Sequence, residues 1–185
     1  MRDCLAAGLK SDIRWTRPET WHVTLKFLGE VDEVGLDAVR GALGGVCLAA
    51  PFPVRLGGCG CFPPLAGEPR SGSRRGAPRV IWAGVRQGAA GLAELAGRVE
   101  DALAPLGFAR SATPFVPHLT LGRVRRAAPD DWASVLTACG GDSRAGQADG
   151  RGEWPAFLAD GFGLWRSALG PSGARHTLVR RFGLG

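Results

Sequence analysis

From Trp21 to Leu28 the chain alternates: Trp21, Val23, Leu25 and Phe27 share one parity, and His22, Thr24 and Lys26 share the other. A period of two predicts a half-buried strand. A second such run spans about Phe115 to Val124, with His118 and Thr120 again on one parity. Helical periods separate the two. Asp32 offers a cap to Leu36, Val39 and Leu43, and Gly44-Gly45 stops that helix. Leu92, Leu95, Ala96, Val99 and Leu103 predict another, ended by Pro105 and Gly107. Phe52 to Leu56 reads as a short strand, residues 57–78 as a surface loop rich in Gly, Pro, Ser and Arg, and Arg79 to Val85 as a strand. Residues 130–138 look helical and 140–152 are polar and glycine-rich, the pattern of another loop. Two strands near Phe157–Trp165 and His176–Phe182 follow, around a Gly-Pro-Ser-Gly turn. Together these elements predict a single α+β domain over residues 1–185, bilobed and pseudo-twofold, with an equivalent motif strand in each half.

Two of the chain's three histidines fall in the repeated triplets His22-Val23-Thr24 and His118-Leu119-Thr120. At about 3.3 Å rise per residue, a His and a Thr two positions apart leave the same strand face roughly 6.5 Å apart, within reach of one phosphate. A lone His-x-Thr is usually a satisfied strand histidine beside a common β-former. Its recurrence at the head of an apolar run in each half favours chemistry instead. An imidazole titrates near neutrality, so one copy can act as base and the other as acid in phosphodiester hydrolysis. Thr24 and Thr120 would donate hydrogen bonds to the non-bridging oxygens, where transition-state charge develops. That scheme calls for no metal and no cofactor.

Composition adjusts this picture only slightly. The net charge of +6 among 185 residues, 45% of them hydrophobic, suits one well-buried domain and a polyanionic partner such as RNA. Only Lys10 and Lys26 of the 23 basic residues are lysine, however, and GC-rich coding produces such an arginine excess without selection for binding. Arg70, Arg74, Arg75 and Arg79 lie in or beside the predicted loop, where a basic stretch is usually just solvated. Five cysteines without a C-x-x-C pair, and no leader upstream, suggest a reduced, cytoplasmic chain. Cys59-Gly60-Cys61 is too closely spaced for a zinc knuckle, and no apolar run approaches the ~18 residues of a membrane span.

The segments Arg14-Trp15 with Arg17-Pro18-Glu19, His22 to Glu30, Phe62-Pro63, Arg79 to Trp82, Pro117 to Arg123 and Leu164 to Pro171 resemble the 2H phosphoesterases, and within them the RNA 2′,3′-cyclic phosphodiesterases also called 2′-5′ RNA ligases. The likeness runs from about Ile13 to the C-terminus. It implies two antiparallel sheets lining a central cleft with helices outside, His22 and His118 as the catalytic pair, and Thr24 and Thr120 on the phosphate. It also implies hydrolysis of an RNA 2′,3′-cyclic phosphate end to a 2′-phosphate, with 2′-5′ joining as the related reaction; a monomer that does not bind membranes is expected.

Arg123 closes the second motif and its planar donor fork suits a phosphate. Strict alternation nonetheless turns it away from His118 and Thr120, and only a bulge or strand end at Gly122 would bring it round. Lys26 shares parity with His22, but an exposed strand lysine is more often solvated. Trp15, Trp21 and Phe115 flank the motifs, with core packing favoured over base stacking. His176 stands where relatives carry Tyr and is assigned no catalytic role. Relatives also begin with a strand and a helix ahead of Arg14-Trp15, which Met1 to Asp12 are too short to supply together, so both elements are expected to be missing and the true start to lie upstream. Two other readings keep part of this evidence: a phosphodiesterase for a small cyclic nucleotide or an ADP-ribose cyclic phosphate, and a truncated, weakly active RNA-binding domain.

Overall fold

A computed structural model describes residues 2–65, 77–139, 155–170 and 173–185. Arg70, Arg74, Arg75 and the whole predicted 140–152 loop lie outside the described residues. The chain divides into two compact units: residues 1–23, 55–87 and 118–156 form the first, and residues 24–54, 88–117 and 157–185 the second.

The first unit is built on strands β1 (Asp12–Trp15), β2 (Phe52–Phe62), β3 (Val80–Gln87) and β4 (His118–Arg126), which with β5 (Ala156–Ala159) lie in the order β1-β4-β3-β2-β5. The β1–β4, β3–β4 and β2–β3 pairings are antiparallel. One face of this sheet is apolar: Leu56, Cys59, Cys61, Ile81, Ala83, Leu119 and Leu121 are buried against Leu5, Trp132 and Leu136. Leu5 comes from helix α1 (Arg2–Gly8), and Trp132 and Leu136 from α4 (Trp132–Ala138). The N-terminal helix expected to be missing is therefore present. Leu5 is fully buried and Leu9, just past the helix end, packs on the same core, but one such i, i+4 pair is too short to establish a helical period from the sequence.

β2 runs six residues beyond the predicted strand end, because glycines that suggest a loop here make room for neighbours. A Cβ on Gly60 would stand 2.2 Å from Cζ2 of Trp82, and one on Gly57 2.4 Å from Cδ of Arg86. The lost side chains are replaced by a flat ring and an arginine stem from β3, so the segment is a strand despite its composition.

The second unit holds helices α2 (Glu33–Gly44) and α3 (Ala89–Leu103) with the hairpin β6 (Gly161–Gly170) and β7 (Gly173–Gly183). Asp32 caps α2 by accepting from the Gly35 N–H at 2.7 Å, and Gly107 beyond α3 takes φ +89°, a conformation that favours glycine. Val39, Leu43, Leu95, Val99, Leu103, Leu164 and Phe182 form its core. The predicted strand Trp21–Leu28 does not form: only Val23 makes a bridge, and Thr24 to Leu28 lie outside any ladder. Period two reports which residues are buried, and Leu25 and Leu28 do pack on this core, but it cannot supply a neighbouring strand to bond with. Phe27, on the apolar parity, is 81% exposed.

Candidate active site

The opposite face of the first unit's sheet carries the candidate residues, and its occupants follow from register. Ala83 faces Leu119 with both side chains in the core, so Gly84, opposite His118, and Trp82, opposite Thr120, take the other face. His118 and Thr120 thus project away from the core beside Trp82. The His118 ring stands edge-on to Phe62 with centroids 5.0 Å apart, and 6.1 Å from the Trp82 ring. Phe62 and Trp82 lie 5.4 Å apart, so two aromatic rings wall the imidazole.

The first motif reaches the same face by a local detour. β1 runs antiparallel along β4 as far as Trp15 opposite Gly122, and the Thr16 N–H continues the line by donating to Leu121 O at 2.9 Å. Arg17-Pro18 then opens a 3₁₀ turn, Pro18–Thr20, closed when the Trp21 N–H donates to Pro18 O. After it the chain returns to the edge of β4, where Val23 bridges Leu119, again antiparallel. Bridge partners share a side, so Val23 takes the side of buried Leu119, and Trp21, on the same parity, packs on the core. His22 consequently falls on the side of His118 and Thr120: across from Thr120 and diagonal to His118, a separation of about 7–8 Å between such backbone positions.

His22 is exposed, and its Nδ1 donates to Thr20 O at 2.7 Å. A carbonyl only accepts, so Nδ1 carries the proton in this contact and the neutral ring presents Nε2 as its acceptor nitrogen. Thr16 clamps the detour from below: its hydroxyl lies 2.8 Å from Thr120 O and 2.9 Å from Leu121 O, and it accepts from Trp21 Nε1 at 3.1 Å. Thr24 opens the second unit, two residues along the chain from His22.

A β-bulge settles the orientation of Arg123. Ile81 pairs with Gly122 but Trp82 pairs with Thr120, so Leu121 is one extra residue on β4. Beyond it the parity flips: Arg123 pairs with Val80 and Arg14, and exposed Arg123 shares the face of Thr120, while Val124 packs on the core. Simple alternation, which turned Arg123 away, fails at this bulge. A Cβ on Gly122 would meet Ile13 Cγ2 at 2.8 Å and Trp15 Cε3 at 3.0 Å, so the glycine lets those core side chains close over β4.

The remaining candidates have structural roles. Lys26 Nζ donates to Glu100 at 2.6 Å and to Ala109 O at 2.8 Å, with only 8% of its side chain exposed, so it is spent on a buried pair in the second unit. Trp15 and Trp21 are core residues, as favoured. His176 Nδ1 lies 2.8 Å from Ser167 Oγ, its cross-strand neighbour on the hairpin. Sequence reasoning gave Phe62 and Trp82 no part beside His118. Both fall in segments that carry the family resemblance, but Gly60, two positions before Phe62, becomes meaningful only once β2 and β3 are paired. No group of three or more His, Cys, Asp or Glu side chains suited to a metal occurs among the described residues.

The chain is thus an α+β protein in which two histidines and a threonine share one sheet face, backed by an apolar core. The family model described as LigT like Phosphoesterase matches residues 1–71 and 84–176, and the chain belongs to that family. An RNA 2′,3′-cyclic phosphodiesterase of Thermus thermophilus is 35% identical over 181 residues, covering 90% of this chain and 73% of that relative. Another from Archaeoglobus fulgidus is 38% identical over 120 residues, 65% of this chain and 61% of its own length. One from Geobacillus stearothermophilus, 39% identical, matches 59% of this chain and 32% of its own. The chain thus spans less than two thirds of the length of several curated relatives. Among solved structures, TT0787 of Thermus thermophilus superposes with a TM-score of 0.68 at 26% identity, covering 99% of this chain and 91% of that one. Escherichia coli LigT complexed with 3′-AMP shares the fold, with a TM-score of 0.66 at 24% identity over 99% and 90% of the two chains.

Proposed function

We propose that this protein hydrolyses the 2′,3′-cyclic phosphate end of an RNA to a 2′-phosphate, with His22 and His118 as the acid–base pair. The observation that carries the reading is that His22, His118 and Thr120 leave one face of one sheet at adjacent backbone positions, in a chain whose relatives are named for this activity. One imidazole takes a proton from water as its oxygen attacks phosphorus. The other gives a proton to O3′ as the P–O3′ bond breaks, and the phosphate stays on O2′. Thr120 and Thr24 donate hydrogen bonds to the non-bridging oxygens, and Arg123 adds its guanidinium to the same developing charge. A 5′-hydroxyl in place of water runs the same step as 2′-5′ joining.

The test is to incubate the protein, with EDTA present, with a short RNA ending in a 2′,3′-cyclic phosphate and identify the terminal phosphate. Wild type is expected to yield a 2′-phosphate and His22→Ala and His118→Ala to yield none. Conversion of nucleoside cyclic phosphates or ADP-ribose cyclic phosphate alone would replace the substrate; binding of RNA without conversion would replace the activity.

A further inference from the structure

We infer that Arg14 forms a second anion subsite beside Arg123, which takes the phosphodiester preceding the reacting one and so selects an oligoribonucleotide over a lone cyclic nucleotide. The inference rests on the proposed activity at the same face.

Two independent observations orient Arg14. Its chain neighbours Ile13 and Trp15 both pack on the core, which leaves the residue between them on the opposite face. Its partner across the sheet is Arg123, which the bulge has already turned to that face. The position is also rigidly held. Ile13 and Trp15 close over Gly122, and just before β1 the carboxylate of Asp130 accepts from the N–H groups of Lys10 at 2.8 Å and Ser11 at 2.9 Å and from the Ser11 hydroxyl at 2.6 Å. Arg14 is therefore unlike an arginine in a solvated loop: its backbone is fixed in strand register.

Like charges directly opposite on neighbouring strands repel, and an anion between them converts the repulsion into attraction. Along β4 the order is His118, Thr120, Arg123, with Arg14 alongside on β1. A phosphate over His118 and Thr120 has Arg123 and then Arg14 along this line, toward the sheet edge formed by β1, while Arg86 shares the face at the Gly84 end, over Gly57. An RNA strand laid along that line offers a second phosphate there; a nucleoside 2′,3′-cyclic phosphate has none to offer.

The experiment compares wild type, Arg14→Gln and Arg14→Lys. Binding of a labelled pentaribonucleotide ending in a 2′-phosphate is measured by anisotropy across salt concentrations, and kcat and KM are measured on the cyclic-phosphate pentamer and on cytidine 2′,3′-cyclic phosphate. Arg14→Gln is expected to weaken pentamer binding about tenfold, reduce the salt slope by about 0.7, and raise KM for the pentamer while leaving KM for the mononucleotide within about twofold. Arg14→Lys is expected to keep the slope and recover part of the affinity, which also answers the question if the glutamine variant does not fold. Equal losses on both substrates, or unchanged pentamer binding by a folded variant, would overturn the subsite. Turnover of neither substrate by wild type would instead remove the proposed activity, and the binding comparison would still decide the subsite.

Discussion

His118 sits on a strand paired along one side with β3 and on the other with β1 and Val23, and two aromatic rings stand against its imidazole. His22 follows a 3₁₀ turn and touches the sheet through its neighbour Val23, and its Nδ1 donates to the Thr20 carbonyl. Nearly identical triplets are therefore held in place by different means. The first depends on local turn geometry, and the second on long-range pairing. Sequence likeness between the motifs therefore says little about a shared scaffold.

The largest effect to expect is symmetric in spite of this contrast. His22→Ala and His118→Ala should each lower kcat at least about 10²-fold with substrate affinity largely kept, measured by steady-state kinetics on a cyclic-phosphate RNA. A residual rate in one variant far above the other would mean that the two rings do not share the work. Amide hydrogen exchange probes the scaffolds directly: Leu119 and Leu121 should be protected by orders of magnitude over Lys26 and Phe27, which lie outside any ladder. Similar rates would mean that both motifs are held with the same rigidity.

The aromatic wall separates the two sites further. Phe62→Leu should lower kcat about tenfold with KM little changed and shift the His118 ring protons in the NMR spectrum, while His22 resonances stay where they are. Gly60→Ala forces a methyl into the Trp82 ring and should cost about 1–3 kcal/mol in chemical denaturation.

The smallest effect concerns the strap that anchors β1. The hydrogen bond from the Ser11 hydroxyl, opposed by desolvation and helped by the smaller effects of the Lys10 and Ser11 N–H groups and the Lys10 charge, holds the Asp130 carboxyl below its usual value of 3.8. The native state then binds fewer protons than the unfolded chain near that pH. The strap's contribution is present above pH 4 or so and is lost as pH falls below it. Asp130→Asn should flatten that part of the stability profile, while a variant as pH-sensitive as wild type would assign the dependence to Asp131, similarly lowered by Ser134.

Much of the fold was readable because burial leaves a period. α2 and α3 follow Leu36, Val39 and Leu43 and the Leu92-to-Leu103 series, and Asp32 caps where a cap was expected. What escaped depends on pairing partners distant in sequence. Alternation could not show that Leu121 is an extra residue, so Arg123 appeared on the wrong face, although Gly122 marked where a bulge belonged. Gly57 to Phe62 looked like a loop because the groups filling its glycines, Arg86 and Trp82, belong to another strand. For the same reason the company His118 keeps was invisible, whereas the triplets themselves, being local, were plain.

The fit of Trp82 over Gly60 has an evolutionary side. A side chain at position 60 collides with a rigid indole, and a smaller residue at position 82 opens a void beside His118, so each change alone carries a penalty that the other relieves. The two positions form a coupled pair. Lineages that depart from the glycine–tryptophan combination are expected to have altered both sites, with the larger ring lost before the larger side chain is gained.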